Sequence, residues 1–104
     1  MTIVENNALL DGFMESKGII IPVYDQNSNI IDQDYKPHSY HSDWNLLMDC
    51  IVKIEDLKYT VEIIGQTTHI DHGDSHFRTI TSVSENSKRE SVYNAVVSFV
   101  KYIK

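Results

Sequence analysis

Tyr40-His-Ser-Asp-Trp-Asn-Leu-Leu-Met-Asp-Cys-Ile-Val-Lys-Ile-Glu55 is the stretch that decides the fold, because it carries the clearest helical pattern of the chain. Its apolar residues recur at i, i+3, i+4, i+7 and i+8: Trp44, Leu47, Met48, Ile51 and Val52. This spacing predicts a helix with one apolar stripe that faces the core. Ser42 has the position of an N-cap, and Asp43 would complement the helix dipole in the first turn.

Two more helices are predicted, one towards each end of the chain. Residues 2–16 begin with the capping-box spacing Thr2-x-x-Glu5, and Gly18 is placed to end the helix. The last helix begins with a second capping-box match, Ser87-x-x-Glu90. The predicted apolar sides are Leu9, Leu10, Phe13 and Met14 in the first helix, and Val92, Val96, Phe99, Val100 and Ile103 in the last.

Between these helices the sequence predicts about four strands. Residues 19–24 and 30–31 flank a turn-forming cluster, and residues 32–39 read as a polar loop. Residues 59–65 alternate as a half-buried strand, with residues 76–83 as the antiparallel partner and 66–70 as a possible extension of the first arm. The expected fold is α+β, in the order α-β-β-α-β-β-α: an antiparallel sheet with helices packed mainly on one face. We expect one globular domain over residues 1–104.

Composition and charge exclude several classes of protein. The 104 residues are 41% hydrophobic and 23% charged, which is typical of soluble globular proteins. Fifteen acidic against nine basic residues give a net charge of −6. This balance argues against nucleic acid and against anionic membranes as partners. A single cysteine excludes an internal disulfide and any CxxC site. With no secretory signal pattern at the N-terminus, we expect a cytoplasmic protein.

The two most regular helices resemble a known family. Tyr40-His41-x-Asp43-Trp44-x-x-Leu47-Met48, Val52-x-Ile54-Glu55 and Glu90-Ser-Val92-Tyr93-x-Ala95-Val96-Val97-x-Phe99 are similar to the pattern YHxSWDWLMxVVxKIE … VYxAVVxFI. This pattern belongs to small uncharacterised phage and prophage proteins of Bacteroidota. The chain departs from it at Asn45 and Leu46, at residues 89–91 and at Tyr102. The resemblance implies a mobile-element origin and a host-cell location, and it assigns no catalytic residue.

A cluster of histidines and carboxylates is the strongest chemical signal. His69, Asp71, His72 and His76, with Asp74 between them, are the residue types that bind zinc and other divalent ions. If His69 and Asp71 share a strand face, they could meet His76 across the turn. The spacing matches no established metal motif, however, and a polar hairpin tip accounts for the same residues. No cofactor is predicted unless this cluster binds a divalent metal.

Two further features have both a functional and a structural interpretation. Tyr40, His41 and Trp44 could bind a small ligand by stacking and hydrogen bonding, or could anchor the central helix in the core. Cys50 could be a nucleophile only with a base in reach, and its mid-helix position favours a buried, inert thiol. No catalytic residue is predicted.

Three functions therefore remain open. The first is a non-enzymatic binding or interaction protein, which acts on a host or phage protein and which could be a homodimer. The second is a metal-binding protein or metal-dependent hydrolase that uses the histidine cluster. The third is a small-ligand binder at Tyr40 and Trp44. The absence of a catalytic motif and the acidic composition favour the first.

Overall fold

A computed structural model describes residues 2–73 and 79–103 of the chain. The described residues form three helices and five strands in the following order: α1 (Ile3–Phe13), β1 (Ile19–Tyr24), β2 (Ile30–Lys36), α2 (Trp44–Asp56), β3 (Tyr59–Ile64), β4 (Thr67–His72), β5 (Thr79–Ser84) and α3 (Lys88–Ile103). The predicted α+β class and the antiparallel pairing are confirmed. The strands form two sheets, β1-β2 and β3-β4-β5, so the described strands outnumber the predicted four by one.

Contacts along the chain divide it into two compact units, Met1–His38 and Ser39–Lys104. The first contains α1 with the β1-β2 hairpin, and the second contains the three-stranded sheet with α2 and α3. The single domain over residues 1–104 stays a prediction. Within the described ranges, every helix is too short or too polar to cross a bilayer.

In the first unit, α1 begins as the sequence predicts and ends earlier. The Thr2 hydroxyl accepts a hydrogen bond from the Glu5 backbone N–H at 3.1 Å, and the Glu5 carboxylate accepts one from the Thr2 N–H at 3.2 Å. The predicted end at residue 16 is wrong, because the helix stops at Phe13 and Glu15 adopts a left-handed conformation (φ 58°). Gly18 has φ 98°, and a Cβ there would lie 2.3 Å from the Lys36 carbonyl oxygen. Gly18 therefore serves the entry into the hairpin, not the end of the helix.

The β1-β2 hairpin is longer than the sequence predicts. Residues 32–36, predicted as loop, continue β2 and pair with β1 in register from Ile19–Lys36 to Val23–Asp32. The turn is held by Asp25, whose carboxylate accepts hydrogen bonds from the backbone N–H groups of Asn27 (2.8 Å) and Asn29 (2.9 Å). These bonds, the one from Asn29 first, lower the pKa of Asp25.

In the second unit, β4 is the strand that the sequence analysis did not separate. Gly65 (φ 60°) and Gln66 form the turn between β3 and β4, so the segment predicted as an extension of one arm folds back instead. The predicted direct pairing of residues 59–65 with residues 76–83 is wrong, because β4 lies between β3 and β5. The other edge of β4 pairs antiparallel with β5, of which Thr79 is the first described residue. Residues 74–78, which include the first three residues of the predicted strand 76–83, lie outside the described residues.

Helix α3 forms most of the core of the second unit. Four of the five residues on its predicted apolar side are fully buried: Val92, Val96, Phe99 and Val100. The fifth, Ile103, is partly exposed. The buried face is wider than predicted, because Tyr93, Ala95 and Val97 are buried as well. The helix packs on β4 and β5, where the hydroxyls of Thr68 and Ser91 form a buried hydrogen bond of 2.9 Å. This bond satisfies two polar groups inside the core.

Candidate functional site

Helix α2 leaves one apolar side exposed. Trp44, Met48 and Val52 are 37%, 44% and 52% exposed, and they follow one another at i, i+4 and i+8. Residues with this spacing lie on one side of a helix and cover about 12 Å of its length. We call these three residues the exposed stripe.

The side of α2 next to the exposed stripe provides the contact with the core. Leu47, Cys50, Ile51 and Ile54 are buried, and the helix packs against β3 and α3. The prediction that Trp44, Met48 and Val52 face the core is therefore wrong. The apolar residues of α2 cover more than half of its circumference, and packing against one sheet and one helix buries only part of this arc.

The N-cap of α2 lies one residue later than the sequence predicts. Asp43, not Ser42, is the N-cap, and its carboxylate accepts hydrogen bonds from the N–H groups of Asn45 (2.9 Å) and Leu46 (3.3 Å). Ser42 instead bonds back to the Ser39 carbonyl. An aspartate cap places Trp44 at the first helical position, where its side chain reaches solvent.

Carboxylates border the exposed stripe. Asp49, Glu55 and Asp56 are all exposed, and they stand three or four residues from Val52 along the helix. Residues with this spacing are neighbours on a helix surface. The exposed stripe is therefore an apolar surface with a negatively charged margin.

The predicted ligand residues Tyr40, His41 and Trp44 have different environments. Tyr40 is buried, and the half-buried His41 ring contacts the Tyr93 ring edge-on at a centroid distance of 6.1 Å. Trp44 is the member of this set that presents aromatic surface to solvent. Ligand binding by these residues stays a prediction, with Trp44 as the residue available for stacking.

Because Tyr93 is buried, the free energy of unfolding is expected to depend on pH in a way that can be measured. Desolvation raises the pKa of the Tyr93 phenol above its ordinary value of 10.0. Because the folded pKa is the higher one, this contribution to stability is complete below about pH 10 and is lost as the pH rises through the folded pKa. We expect the difference in unfolding free energy between wild type and Tyr93→Phe to be constant from about pH 8 to 9.5 and to shift in favour of the variant above about pH 10.

Urea titrations of both proteins at each pH would measure this difference. The other tyrosines and the lysines titrate in both proteins, so subtracting the two curves isolates Tyr93. A difference that stays constant up to pH 11 would show that the Tyr93 phenol is not desolvated by folding.

Strand β4 separates the histidines that were predicted to bind metal. His69 lies opposite Glu62 of β3, and Asp71 lies opposite Thr60, so the two share a strand face, as the metal hypothesis requires. His72 points to the other face, where its ring is 5.8 Å from that of Tyr59 and 6.5 Å from that of Tyr102. Because adjacent strand residues face opposite sides, His72 cannot join His69 and Asp71 around one ion.

Within residues 2–73 and 79–103, no three His, Cys, Asp or Glu side chains are grouped closely enough to hold a metal ion. His76 and Asp74, the other predicted members of the cluster, lie outside these ranges. Asp71 is only 4% exposed, and its Oδ1 has no hydrogen-bond partner among the described residues. Metal binding by His69, Asp71 and His76 stays a prediction, and His72 belongs to a separate aromatic cluster.

A cleft opens beside this aromatic cluster. It has a volume of about 640 Å³ and is lined by Leu57, Lys58, Tyr59, Thr60, His72 and Gly73. Gly73 lies directly against the backbone of Lys58, where an added Cβ would be 2.1 Å from the Lys58 carbonyl oxygen. Among the polar side chains that line the cleft, the Lys58 ammonium is a charged hydrogen-bond donor. The neutral His72 ring can carry its proton, and so donate, at either of its two nitrogens.

The environment of Cys50 agrees with the sequence prediction, whereas the pair formed by Asp11 and His38 was not predicted. Cys50 is fully buried, which confirms the predicted environment of the thiol. In the first unit, the Asp11 carboxylate bonds to the His38 ring Nδ1 at 2.9 Å and accepts the His38 backbone N–H at 3.0 Å. These residues are 27 positions apart, so no local spacing in the sequence indicates the pair. The pair links α1 to the segment after β2.

Comparisons with known proteins give no family assignment. No family model matches the chain, and neither the curated proteins nor the solved structures include a match.

Proposed function

We propose that this protein is a non-enzymatic protein-interaction module that binds a basic, amphipathic helical segment of a partner along the exposed stripe of α2. The observation that supports the proposal is the exposure of Trp44, Met48 and Val52 on one side of a well-packed helix. Aromatic residues and methionine are enriched in the centres of protein interfaces. A soluble chain that leaves them ordered and exposed has a surface suited to a partner.

The length of the exposed stripe fits a helical partner. Three apolar side chains over two turns match the i, i+3 or i+4, i+7 anchors with which an amphipathic helix fills an apolar surface. Trp44 is at one end and Val52 at the other, with the flexible Met48 between them. Methionine adapts its shape to a partner side chain at small energetic cost.

Charge specifies the partner further. Asp49, Glu55 and Asp56 border the exposed stripe, so lysine or arginine beside the partner's apolar residues would meet carboxylates. The same carboxylates would repel nucleic acid and acidic proteins. The resemblance to phage and prophage proteins supports a partner from the phage or from its bacterial host, in the host cytoplasm.

The emission of Trp44 would test the proposal, because it is the only tryptophan in the chain. The full chain would be titrated with a Lys/Leu peptide of amphipathic helical pattern, a scrambled peptide of equal composition, and a Glu/Leu peptide of the first pattern. We expect the Trp44 emission to shift to the blue when the Lys/Leu peptide of helical pattern binds. We expect the scrambled peptide to bind about tenfold more weakly and the Glu/Leu peptide not to bind. Equal binding of the first two peptides would show that charge alone is responsible.

A pair of variants locates the binding surface. In Met48→Gln/Val52→Gln we expect affinity for the basic amphipathic peptide to fall at least about tenfold, because two apolar contacts are lost while helix propensity is kept. Ile64→Gln is the matched control, since Ile64 is 64% exposed on β3 and lies outside α2. We expect this control to bind as the wild type does. An equal loss of affinity in both variants would contradict the proposal.

A metal site is the second candidate, and the buried Asp71 favours it. The Asp71 carboxylate has one oxygen without a partner among the described residues, and it shares a strand face with His69. Elemental analysis of protein purified without a histidine tag would decide between the candidates. About one equivalent of a divalent metal, lost in His69→Ala, would support this site, and a content far below one equivalent would remove it.

A further inference from the structure

The first unit carries a second apolar surface, and its chemistry differs from that of the exposed stripe. Ile20 lies opposite Tyr35 in the β1-β2 ladder, Pro22 opposite Gln33, and Tyr24 opposite Ile30. Side chains of directly opposed residues share a face of the sheet. This face contains no ionisable acid or base other than the tyrosine phenols. We call it the uncharged face.

The reverse face of the same hairpin is charged. Ile19, Ile21 and Val23 lie there opposite Lys36, Asp34 and Asp32. The large apolar side chains of the uncharged face are also more exposed than those of the reverse face: Ile20, Tyr24 and Ile30 are 53–60% accessible and Tyr35 is 42% accessible, against 37–40% for Ile19, Ile21 and Val23. A two-stranded hairpin gains little stability from its own contacts. Burial of its uncharged face against another surface would therefore stabilise the hairpin substantially.

The edge of β2 is closed to strand addition. Pro22 has no N–H, so the Pro22–Gln33 pair cannot exchange two ladder hydrogen bonds, and by alternation the N–H groups of Gln33 and Tyr35 point away from β1. These two groups donate to the carboxylates of Asp32 (2.8 Å) and Asp34 (3.0 Å). A partner strand would therefore find the edge of β2 already hydrogen-bonded and negatively charged.

From these observations we infer that the protein forms a symmetric dimer, in which the uncharged faces of two β1-β2 hairpins stack on each other. Two copies with a net charge of −6 each repel one another, and they approach best through a surface that contains no carboxylate. A basic partner would find no carboxylate there, unlike at the exposed stripe. This inference goes beyond the proposed function and does not depend on it.

The size of the uncharged face agrees with a weak dimer. Its apolar side chains, each about half exposed, offer roughly 500 Å² per copy, or roughly 1,000 Å² for the pair. This area is near the lower limit for a specific interface. We therefore expect dissociation constants of roughly 1–100 µM, which decrease as salt screens the repulsion between the acidic copies.

Sedimentation equilibrium of the full chain from about 1 to about 500 µM would test the inference. Adjacent isoleucines on opposite faces provide matched variants. We expect Ile20→Lys to weaken the dimer at least about 100-fold, because a symmetric interface contains the change twice. Ile21→Lys adds the same charge beside Asp34 on the reverse face, and we expect it to keep the dimer within about threefold of wild type.

A wild-type protein that stays monomeric over the whole range would overturn the inference, as would equal weakening by both variants. Far-UV circular dichroism would show that each variant is folded. If Ile20→Lys does not fold, Tyr24→Ser on the same face replaces it, with the same expected loss of dimer. Peptide binding at the exposed stripe would continue in a monomeric Ile20→Lys protein, so failure of this inference and failure of the proposed function are distinguishable.

Discussion

Leu47→Ala is expected to lower the free energy of unfolding by about 2–5 kcal/mol, whereas Met48→Ala is expected to change it by less than about 0.5 kcal/mol. The two residues are adjacent on α2 and similar in size. Leu47 is fully buried, so its removal leaves a cavity, whereas Met48 is 44% exposed and contributes little to packing. Urea denaturation followed by circular dichroism would measure both values.

The comparison between these two variants tests the orientation of α2. If the central helix instead buried the side predicted from sequence, both residues would belong to one apolar stripe and both variants would be destabilised. Similar losses in Leu47→Ala and Met48→Ala would therefore contradict the exposed stripe. Val52→Ala provides a further check, because we expect it to behave as Met48→Ala does.

Phe99→Ala is expected to lower the free energy of unfolding by about 3–5 kcal/mol, a large part of the roughly 5–15 kcal/mol by which a folded domain is stable. Phe99 is fully buried in α3, and its ring meets that of Tyr59 edge-on at a centroid distance of 4.8 Å. The change removes a large apolar side chain and an aromatic contact worth about 0.5–1.5 kcal/mol beyond its buried area. Thermal and urea unfolding would give the loss of stability.

Tyr102→Ala is the control for this second expectation. Tyr102 is on the same helix, is 56% exposed, and should cost less than about 1 kcal/mol. Phe99→Leu should lie between the two, because most of the buried volume remains. A small loss in Phe99→Ala would mean that α3 does not pack on the sheet through this residue.

The sequence predicted the element types well where one pattern dominates. The capping box at Thr2 and the hydrogen bond from the Glu90 N–H to the Ser87 hydroxyl mark where α1 and α3 begin, and four of the five predicted apolar residues of α3 are buried. These signals are local, so no knowledge of the tertiary structure is needed to interpret them. The prediction of the α+β class rests on such local signals, and the observed helices and sheets confirm it.

The central helix shows why the candidate site was not predictable. Viewed along the helix axis, the apolar residues of α2 form one arc, from Cys50 at one end to Val52 at the other, that is wider than one packing surface. Only tertiary contacts determine which part of this arc is buried. The sequence identifies Trp44, Met48 and Val52 as apolar and suitably spaced. It does not show that Leu47, Cys50, Ile51 and Ile54 are the residues that face β3 and α3.

The predictions of the strands were incomplete for two different reasons. The polar residues of β2 resemble a loop, and their strand conformation depends on pairing with β1 and on the carboxylates of Asp32 and Asp34, which accept backbone N–H groups. The β3-β4 turn was signalled by Gly65, which adopts φ 60°, and this signal was assigned to the end of a strand. The separation of His69 from His72 then follows from strand alternation.

The exposed stripe as a binding surface is the central claim, and backbone amide chemical shifts of ¹⁵N-labelled full-length protein would test it most directly. On addition of the basic amphipathic peptide, we expect the largest shifts within Trp44–Asp56, including the indole N–H of Trp44, and little change in the β1-β2 hairpin. Largest shifts at the cleft residues Lys58–Thr60 and His72, or no shifts at saturating peptide, would contradict the account.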